Sequence, residues 1–266
     1  MDNEYDRILK SDCLSSLFEC KTGYMDVDDC SWYHHNWMLL RYLGMVSNPF
    51  WHEEFYINAI KKYLCSSSNV LILGTADFSL PYLCQQAGIN ALAISDICKT
   101  PLNICKNVSE HHGFSWKTKR QNIFDGISAK YDAILNDAFV TRFSYDKKRR
   151  IFEEICDGLV DGGVYITTLR HGWNNDNPII PTENEKQDFI NKAVHLASKK
   201  KINTEVAKLA ASQYIERISS YPIRDEEMIQ ALIAGLFTIE QIDKECVKGE
   251  CAPTEYYNII LKKYKL

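Results

Sequence analysis

Three positions along the sequence combine residue types that suit the binding of a nucleoside. Gly74 directly follows the apolar run of residues 69–73, and a glycine there lets a ligand approach the backbone closely. Asp96 ends the next apolar run about twenty residues later, where a carboxylate can accept hydrogen bonds from both hydroxyls of a ribose. Asn122 ends a third strand-like segment, within reach of an attached base. Together these positions predict an adenosine site.

Charged side chains at the ends of two later segments can grip or deprotonate a reacting group. Asp137 and Arg142 lie at and just beyond the end of one apolar run, and Arg170 and His171 end the next. His171 is the preferred general base, because the reference pKa of histidine lies near neutral pH. The alternative interpretation is an exposed loop histidine. A carboxylate acceptor needs no base, only a cationic or hydrogen-bonding grip.

An aromatic segment precedes the sheet. Tyr33, Trp37 and Arg41 are spaced i to i+4, which puts them on one face of a helix. One interpretation is a core stripe whose arginine reaches water. The other is a lid, in which the tyrosine and arginine meet a carboxylate and the tryptophan covers a ligand. His34 and His35 are second choices for a base, because neighbouring helical residues point in different directions.

Strands and helices alternate after residue 69, which indicates a parallel sheet covered on both faces. Gly162 and Gly163 are expected to end the helix before the fifth strand. Two closing strands joined by a short loop must be antiparallel neighbours. The expected strands are residues 69–74, 91–96, 116–123, 131–139, 164–169, 236–243 and 256–264.

The remaining segments are expected to be helical. Residues 1–64 contain no convincing strand and predict an N-terminal helical lid, with short helices near residues 5–18 and longer ones at 31–43 and 50–64. Residues 65–266 form the expected α/β domain, with a helical insertion at about 171–235 before strand 6.

Composition excludes several function classes. The net charge of −4 provides no basic field, so nucleic acid is an unexpected partner. The ten cysteines include no C-x-x-C pair, so we expect no metal site and a reducing, cytoplasmic location. The sequence shows neither a secretory signal nor about 18 consecutive apolar residues, so we expect no membrane association.

Because the residues named above follow one another in this order along an alternating sheet, residues 69–264 resemble the class I S-adenosylmethionine-dependent methyltransferases. The resemblance rests on the glycine turn, the acidic end of the second strand, the Asn136-Asp137 pair and the terminal hairpin. That family has a Rossmann-like seven-stranded sheet in the order 3-2-1-4-5-7-6, with the last strand antiparallel. The chain departs from it at the first turn, where Ile72 replaces an acidic residue and Ala76 and Phe78 replace later glycines.

The resemblance implies that S-adenosyl-L-methionine is the cofactor and that the chain is a methyltransferase. The expected cofactor-binding residues are Tyr33, Trp37, Arg41, Gly74, Thr75, Ala76, Asp96, Ile97, Asn122, Ile123 and Asn136. The expected catalytic residues are Asp137, Arg142, Arg170 and His171.

Several functions stay open at this point. The first expectation is methylation of an oxygen, hydroxyl or carboxylate, on a small molecule or short peptide, in natural-product or peptide tailoring. Alternatives are a small-molecule N-methyltransferase and a non-catalytic adenosyl-binding or partner protein. An NAD-dependent oxidoreductase fits less well, because the first turn lacks the third glycine of that motif.

Overall fold

The computed structural model describes residues 31–172, 177–251 and 253–265 of the chain. The strands are Val70–Leu73 (β1), Ala91–Asp96 (β2), Ser115–Arg120 (β3), Tyr131–Asp137 (β4), Leu159–Arg170 (β5), Phe237–Val247 (β6) and Thr254–Lys263 (β7). They form one seven-stranded sheet in the order β3-β2-β1-β4-β5-β7-β6. Strands β1 to β5 are parallel, and β7 is antiparallel to both β5 and β6. The expected fold class is confirmed.

Helices connect and cover these strands. They are Ser31–Tyr42 (α1), Glu53–Tyr63 (α2), Ser79–Gln86 (α3), Lys99–His112 (α4), Tyr145–Gly158 (α5), Glu183–Lys199 (α6), Thr204–Ile215 (α7) and Glu226–Ile233 (α8). Side chains start several of them. A capping box of Thr182 and Glu185 begins α6, and Asp225 begins α8 by accepting a hydrogen bond from the Met228 amide at 2.8 Å. The short helices expected near residues 5–18 lie outside the described residues.

The sheet has a separate apolar core on each face. On one face, Tyr56 and Ile60 of α2 pack with Leu83 of α3 against the sheet. On the other face, Phe152 of α5 and Ile229 of α8 lie in the same core as strands β4 to β7. Because α2 shares the core of the sheet, part of the segment expected to be a lid is built into the α/β domain. The division at residue 64 stays a prediction.

A third core joins the N-terminal helix to the insertion between β5 and β6. Leu40 of α1 and Leu43 just after it pack with Ala197 of α6 and with Ala207 and Ala211 of α7. The alanines let these helices approach α1 closely. The sequence predicts that the N-terminal helices and the insertion enclose this edge of the sheet together. The structure packs the two segments against each other as one cap over the carboxyl ends of the strands.

The boundary between α5 and β5 corrects one sequence expectation. Helix α5 ends at Gly158, and β5 begins at once with Leu159. Gly162 and Gly163 therefore do not end the helix but lie inside the strand. Gly162 has a φ of +75°, and a Cβ on Gly163 would lie 2.9 Å from the Val160 carbonyl oxygen. The β4 register shifts between Tyr131 and Ala133 at this point, so the glycines accommodate an irregularity in the sheet.

The described residues contain no helix that is long and apolar enough to cross a membrane. In the same part of the chain, no group of three or more histidine, cysteine, aspartate or glutamate side chains is arranged to hold a metal ion. The cysteines described there are free, and Cys84, Cys98, Cys105 and Cys156 are buried.

Candidate active site

The turn after β1 is shaped around Gly74. Its φ is +67°, a conformation that favours glycine, and its amide donates to the Ser95 carbonyl at 2.8 Å. A Cβ added to Gly74 would lie 2.1 Å from the Phe139 ring. The glycine thus serves two needs: the left-handed backbone and the close approach of Phe139. The sequence predicts that a ligand approaches the Gly74 backbone, but the Phe139 ring occupies that space.

Side chains replace the missing glycines in holding this turn. The Thr75 hydroxyl donates to the carbonyl of Asp77. Asp77 accepts a hydrogen bond at 2.8 Å from the amide of Ser79, the first residue of α3. Its second oxygen forms an ion pair with Arg41 Nη1 at 2.5 Å, and Asp77 is 1% exposed. A buried ion pair therefore fastens the turn to α1.

Arg41 acts as a clamp between α1 and the first turn. Its Nε donates to the Ser47 carbonyl at 2.9 Å, and its Nη1 lies 3.3 Å from the Ser79 hydroxyl as well as beside Asp77. The guanidinium lines the cavity described below, but protein atoms surround it. Its expected role in binding a cofactor carboxylate stays a prediction, and this geometry favours other arginines for that role.

Tyr33, Trp37 and Arg41 lie on one face of α1, as their spacing predicts. The rings of Tyr33 and Trp37 stack with centroids 4.6 Å apart. Arg41 Cζ lies 5.0 Å from the Trp37 ring, and Arg142 Cζ lies 5.1 Å from the Tyr33 ring. We call these four side chains the aromatic ladder. Burial raises the pKa of the Tyr33 hydroxyl to about 12, so Tyr33 stays protonated near neutral pH.

A cavity of about 130 Å³ lies between this ladder and the ends of β1, β4 and β5; we call it the inner cavity. It brings together many of the residues that the sequence predicts. Those that line it are Tyr33, Trp37, Arg41, Gly74, Thr75, Ala76, Asn136, Asp137, Arg142 and Arg170. The structure thus joins the first turn, the fourth strand end and α1 in one site.

The end of β4 carries a buried polar network. Asn136 exchanges hydrogen bonds with the Tyr165 hydroxyl at 2.8 and 3.0 Å. Asp137 Oδ1 accepts from the Thr168 hydroxyl at 2.7 Å and from the Tyr56 hydroxyl at 3.1 Å. These donors fix the Asp137 carboxylate at the wall of the inner cavity, where it can take up a proton or accept a hydrogen bond from an N–H group.

Neither Asp96 nor Ile97, at the end of the second strand, lines the inner cavity, so their predicted roles in cofactor binding stay predictions. Asp96 Oδ1 accepts from the Cys98 amide at 2.7 Å, and the Ile97 carbonyl accepts from Arg120 at 2.8 Å. Burial raises the pKa of Asp96 to about 7, although the positive charge of His34 lowers it. The side chain of His35 is outside the described part of the structure.

The third strand ends earlier than expected, at Arg120 instead of Ile123. Asn122 accepts a hydrogen bond from the Phe124 amide at 3.1 Å and starts a short 3₁₀ turn, which stops the strand. Ile123 is buried in that turn. Neither residue lines the inner cavity, so their predicted contact with a base stays a prediction.

His171 points away from both the inner cavity and the larger cavity described below. Its Nδ1 lies 2.7 Å from Glu255 Oε2, and its Nε2 lies 3.4 Å from Lys244 Nζ. Successive residues of an extended chain point to opposite sides, so Arg170 faces the cavities while His171 faces the outer strands. The structure does not bring the expected base to the site, and its catalytic role stays a prediction.

Sequence reasoning missed several residues of the site. Tyr214 of α7, Ser220 and Tyr256 line the inner cavity together with Phe139. The sequence predicts that Tyr56 is a core residue, and Tyr56 is fully buried. Its hydroxyl nevertheless donates a hydrogen bond to the Asn136 carbonyl at 2.9 Å. The only local signal was Phe139, which follows the polar Asn136-Asp137 pair. The others depend on how distant segments pack.

A second and larger cavity, of about 470 Å³, opens beside the first; we call it the outer cavity. Arg170, Ile218 and Ser220 line both cavities. The outer cavity lies between α6 and the end of α7, and its remaining wall combines apolar side chains such as Phe189 with charged ones such as Asp188. Its size falls in the range of about 300–1,000 Å³ that is typical of small-molecule sites.

Strand order, the antiparallel β7 and a cavity at the carboxyl ends of β1 and β4 define the fold of the class I S-adenosylmethionine-dependent methyltransferases. Solved structures of this class superpose on the chain. A methyltransferase from Methanosarcina mazei aligns with a TM-score of 0.55 and 15% identity over 78% of this chain and 98% of its own. The N-methyltransferase NodS from Bradyrhizobium japonicum, in complex with S-adenosyl-L-homocysteine, gives 0.52 and 10% over 86% and 97%.

TehB from Haemophilus influenzae gives a TM-score of 0.55 at 11% identity, over 78% of this chain and 61% of its own length. The chain therefore spans about three fifths of TehB. No family model and no curated protein matches the sequence. At these identities the superpositions confirm the fold that the sequence resemblance implies.

Proposed function

We propose that the chain binds S-adenosyl-L-methionine at the inner cavity and transfers its methyl group to an oxygen atom of a small molecule or short peptide. The observation that carries this proposal is the inner cavity, which Tyr33 and Trp37 line together with the first turn and the end of β4. The two rings cover one face of each other, and Arg142 and Arg41 cover their outer faces. The rings therefore form a wall of the cavity and leave no face for the sulfonium. The carboxyl ends of the strands are where ligands bind in open α/β sheets, which supports a donor at this edge.

The chemistry of the lining fits the other parts of the donor. The indole Nε1 of Trp37 is buried and has no hydrogen-bond partner among the described residues, so a ligand oxygen can satisfy it. Arg142 lines the same cavity, and within the described chain it has no carboxylate at ion-pair distance. We assign the donor carboxylate to Arg142 and the donor ammonium to Asp137. Asp96 is the candidate for the ribose hydroxyls.

The size of the inner cavity requires one side chain to move. A volume of about 130 Å³ is below the range of about 300–1,000 Å³ for ligand pockets. Phe139 is the side chain in closest approach to Gly74. The preceding Ala138 has a φ of 51°, held by hydrogen bonds from its amide to Thr168. We infer that Phe139 turns away from Gly74 when the donor enters.

S-Adenosyl-L-methionine supplies an activated methyl group, so the protein mainly has to position the donor and the acceptor. A hydroxyl acceptor also needs a base, but Asp137, the carboxylate in the cavity wall, is assigned to the donor ammonium. A carboxylate acceptor needs none. This preference for oxygen, and a role in natural-product or peptide tailoring, are parts of the proposal.

A second candidate function is a non-catalytic adenosyl-binding or partner protein. The close packing of Phe139 on Gly74 favours it, because a permanently closed turn leaves no room for a donor. In that case the chain keeps the fold without turnover.

Calorimetric titration with S-adenosyl-L-homocysteine and with NAD tests the proposal. We expect S-adenosyl-L-homocysteine to bind with a free energy of about −8 kcal/mol, which corresponds to a Kd of about 1 μM, and NAD to give no heat. As a control, Arg217→Met should bind both ligands as the wild type does, because Arg217 is exposed and lines neither cavity. Absence of heat from both ligands would support the partner protein, and heat from NAD alone would support an oxidoreductase.

A further inference from the structure

The outer cavity is lined by charged side chains of both signs and by apolar side chains. Arg170 lies at the junction with the inner cavity, because it lines both. Asp188 of α6 also lines the outer cavity and is exposed. Phe189, Ile179 and Ile218 supply apolar surface to the same cavity. A ligand that fills this space meets a cation at the junction and a carboxylate elsewhere in the wall.

Among the described residues, Arg170 and Asp188 have no oppositely charged partner. Arg170 Nη1 donates to the Ser220 hydroxyl at 3.1 Å, and within the described residues Arg170 has no acidic partner. Asp188 likewise has no ion pair there. The other charged side chains of the wall are engaged: Lys192 lies 3.6 Å from Glu250, and Glu185 accepts hydrogen bonds from Thr182 in the capping box. Arg170 and Asp188 are therefore the groups available to a ligand.

We propose that the outer cavity binds an apolar amino acid or short peptide with a free carboxylate and a free amine, and that the carboxylate is the methyl acceptor. This inference rests on the proposed function and names its substrate class. Arg170 holds the carboxylate at the junction of the two cavities, and Asp188 holds the ammonium end. The apolar body lies against Phe189 and Ile179.

The reaction balances without a base. A carboxylate oxygen forms a bond to the methyl carbon while the carbon–sulfur bond breaks, and its electron pair stays on sulfur. The positive sulfonium becomes a neutral thioether, the negative carboxylate becomes a neutral methyl ester, and no proton moves. This agrees with the position of His171, which Glu255 holds away from both cavities. The ester no longer attracts Arg170, which favours release of the product.

The test uses the purified full-length chain, methyl-labelled S-adenosyl-L-methionine and a leucyl-phenylalanyl-leucine tripeptide in three forms: unmodified, amidated at the carboxyl end and acetylated at the amino end. We expect label in the unmodified peptide that mild alkali releases as volatile methanol, as methyl esters do. Amidation should abolish transfer. Acetylation should raise KM about tenfold, because it removes the charge that Asp188 holds.

Two variants separate the ends of the site. Arg170→Met should lower kcat/KM about a hundredfold, because it removes the charged grip at the reacting end. It should change the affinity for S-adenosyl-L-homocysteine by about threefold at most. Asp188→Asn should raise KM about tenfold for the unmodified peptide and leave the acetylated peptide unaffected. Arg217→Met and Asp157→Asn are the matched controls, since both residues are exposed and line neither cavity.

Calorimetry gives a readout that does not depend on turnover. With S-adenosyl-L-homocysteine present, the unmodified peptide should bind more tightly than the amidated one, and Arg170→Met should remove the difference. Label that resists alkali, equal transfer to the amidated peptide, or no transfer to any free acid would overturn this inference while S-adenosyl-L-homocysteine still binds. Failure of S-adenosyl-L-homocysteine itself to bind would instead overturn the proposed function.

Discussion

The two halves of the sheet edge use their polar residues differently. On the side of β2 and β3, Asp96 and Asn122 bond to nearby backbone amides and finish their own turns. On the side of β4 and β5, Arg142 and Arg170 line cavities and have no acidic partner among the described residues. A polar residue at a strand end can thus serve its own loop or remain available to a ligand, and only tertiary packing distinguishes the two.

Between these halves lies the first turn, which the protein closes with its own side chains. Arg41 and Asp77 fasten it to α1, and Phe139 packs on Gly74. Some polar residues therefore stabilise this edge of the sheet, whereas others remain available to a ligand.

The largest effect is expected for the clamp. Asp77→Ala leaves the Arg41 guanidinium buried and without its carboxylate, so the free energy of unfolding should fall by about 3–5 kcal/mol. Urea denaturation of the wild type and the variant measures this. The double variant Arg41→Met/Asp77→Leu should recover much of the loss, because no charge is then stranded. A double variant as unstable as Asp77→Ala would show that the ion pair is not what holds the turn.

Phe139→Leu is expected to open the first turn. A smaller side chain at this position should strengthen binding of S-adenosyl-L-homocysteine about tenfold, since less displacement is needed. The matched control is Phe143→Leu. The rings of Phe143 and Phe139 pack edge-on with their centroids 4.9 Å apart. Phe143 does not line the inner cavity, so its variant should bind as the wild type does. Weaker binding by Phe139→Leu would mean that the ring contacts the donor instead of excluding it.

Asp96 should make both stability and binding depend on pH. Its pKa of about 7 in the folded chain lies above the reference value of about 4. Between these values the folded state holds a proton that the unfolded state has released, so stability falls as pH rises from about 4 to about 7. Asp96→Asn should remove this slope in unfolding experiments.

Donor binding should follow the opposite trend, because the ionised carboxylate is the form that accepts ribose hydroxyls. The ionised fraction rises from about a tenth at about pH 6 to about nine tenths at about pH 8, so affinity should rise about ninefold. Calorimetry at the two pH values checks this. A flat profile, or the same profile in Asp96→Asn, would remove Asp96 from the site.

The smallest effect concerns the ladder. Tyr33→Leu should weaken binding of S-adenosyl-L-methionine and of S-adenosyl-L-homocysteine alike, by about threefold, because Trp37 and Arg142 cover both faces of the ring and leave none for the sulfonium charge. Tyr42→Leu is the control, since Tyr42 lies on the same helix outside the inner cavity. A much larger loss for S-adenosyl-L-methionine would show that the ring does meet the sulfonium.

Local patterns in the sequence predict the sheet and the first turn well. Apolar runs separated by helices predict the strands, and the resemblance to a known family supplies their order. The spacing of Tyr33, Trp37 and Arg41 predicts one helix face. The glycine pair at 162–163 misleads, because a strand irregularity and a helix end both use glycine.

The acceptor side is not predictable in the same way. Tyr214 and Ser220 reach the inner cavity because α7 packs on α1, and Phe139 meets Gly74 across the sheet edge. No local spacing encodes these contacts. The direction of His171 depends on a partner, Glu255, that lies far away in the sequence.

A crystal structure with S-adenosyl-L-homocysteine tests the central claim most directly. We predict that the ligand lies between the Gly74 turn and the Tyr33–Trp37 pair, with its carboxylate at Arg142 and with Phe139 turned away from Gly74. The account is contradicted if the ligand binds elsewhere, or if Phe139 still covers Gly74 in crystals that hold the ligand at saturating concentration.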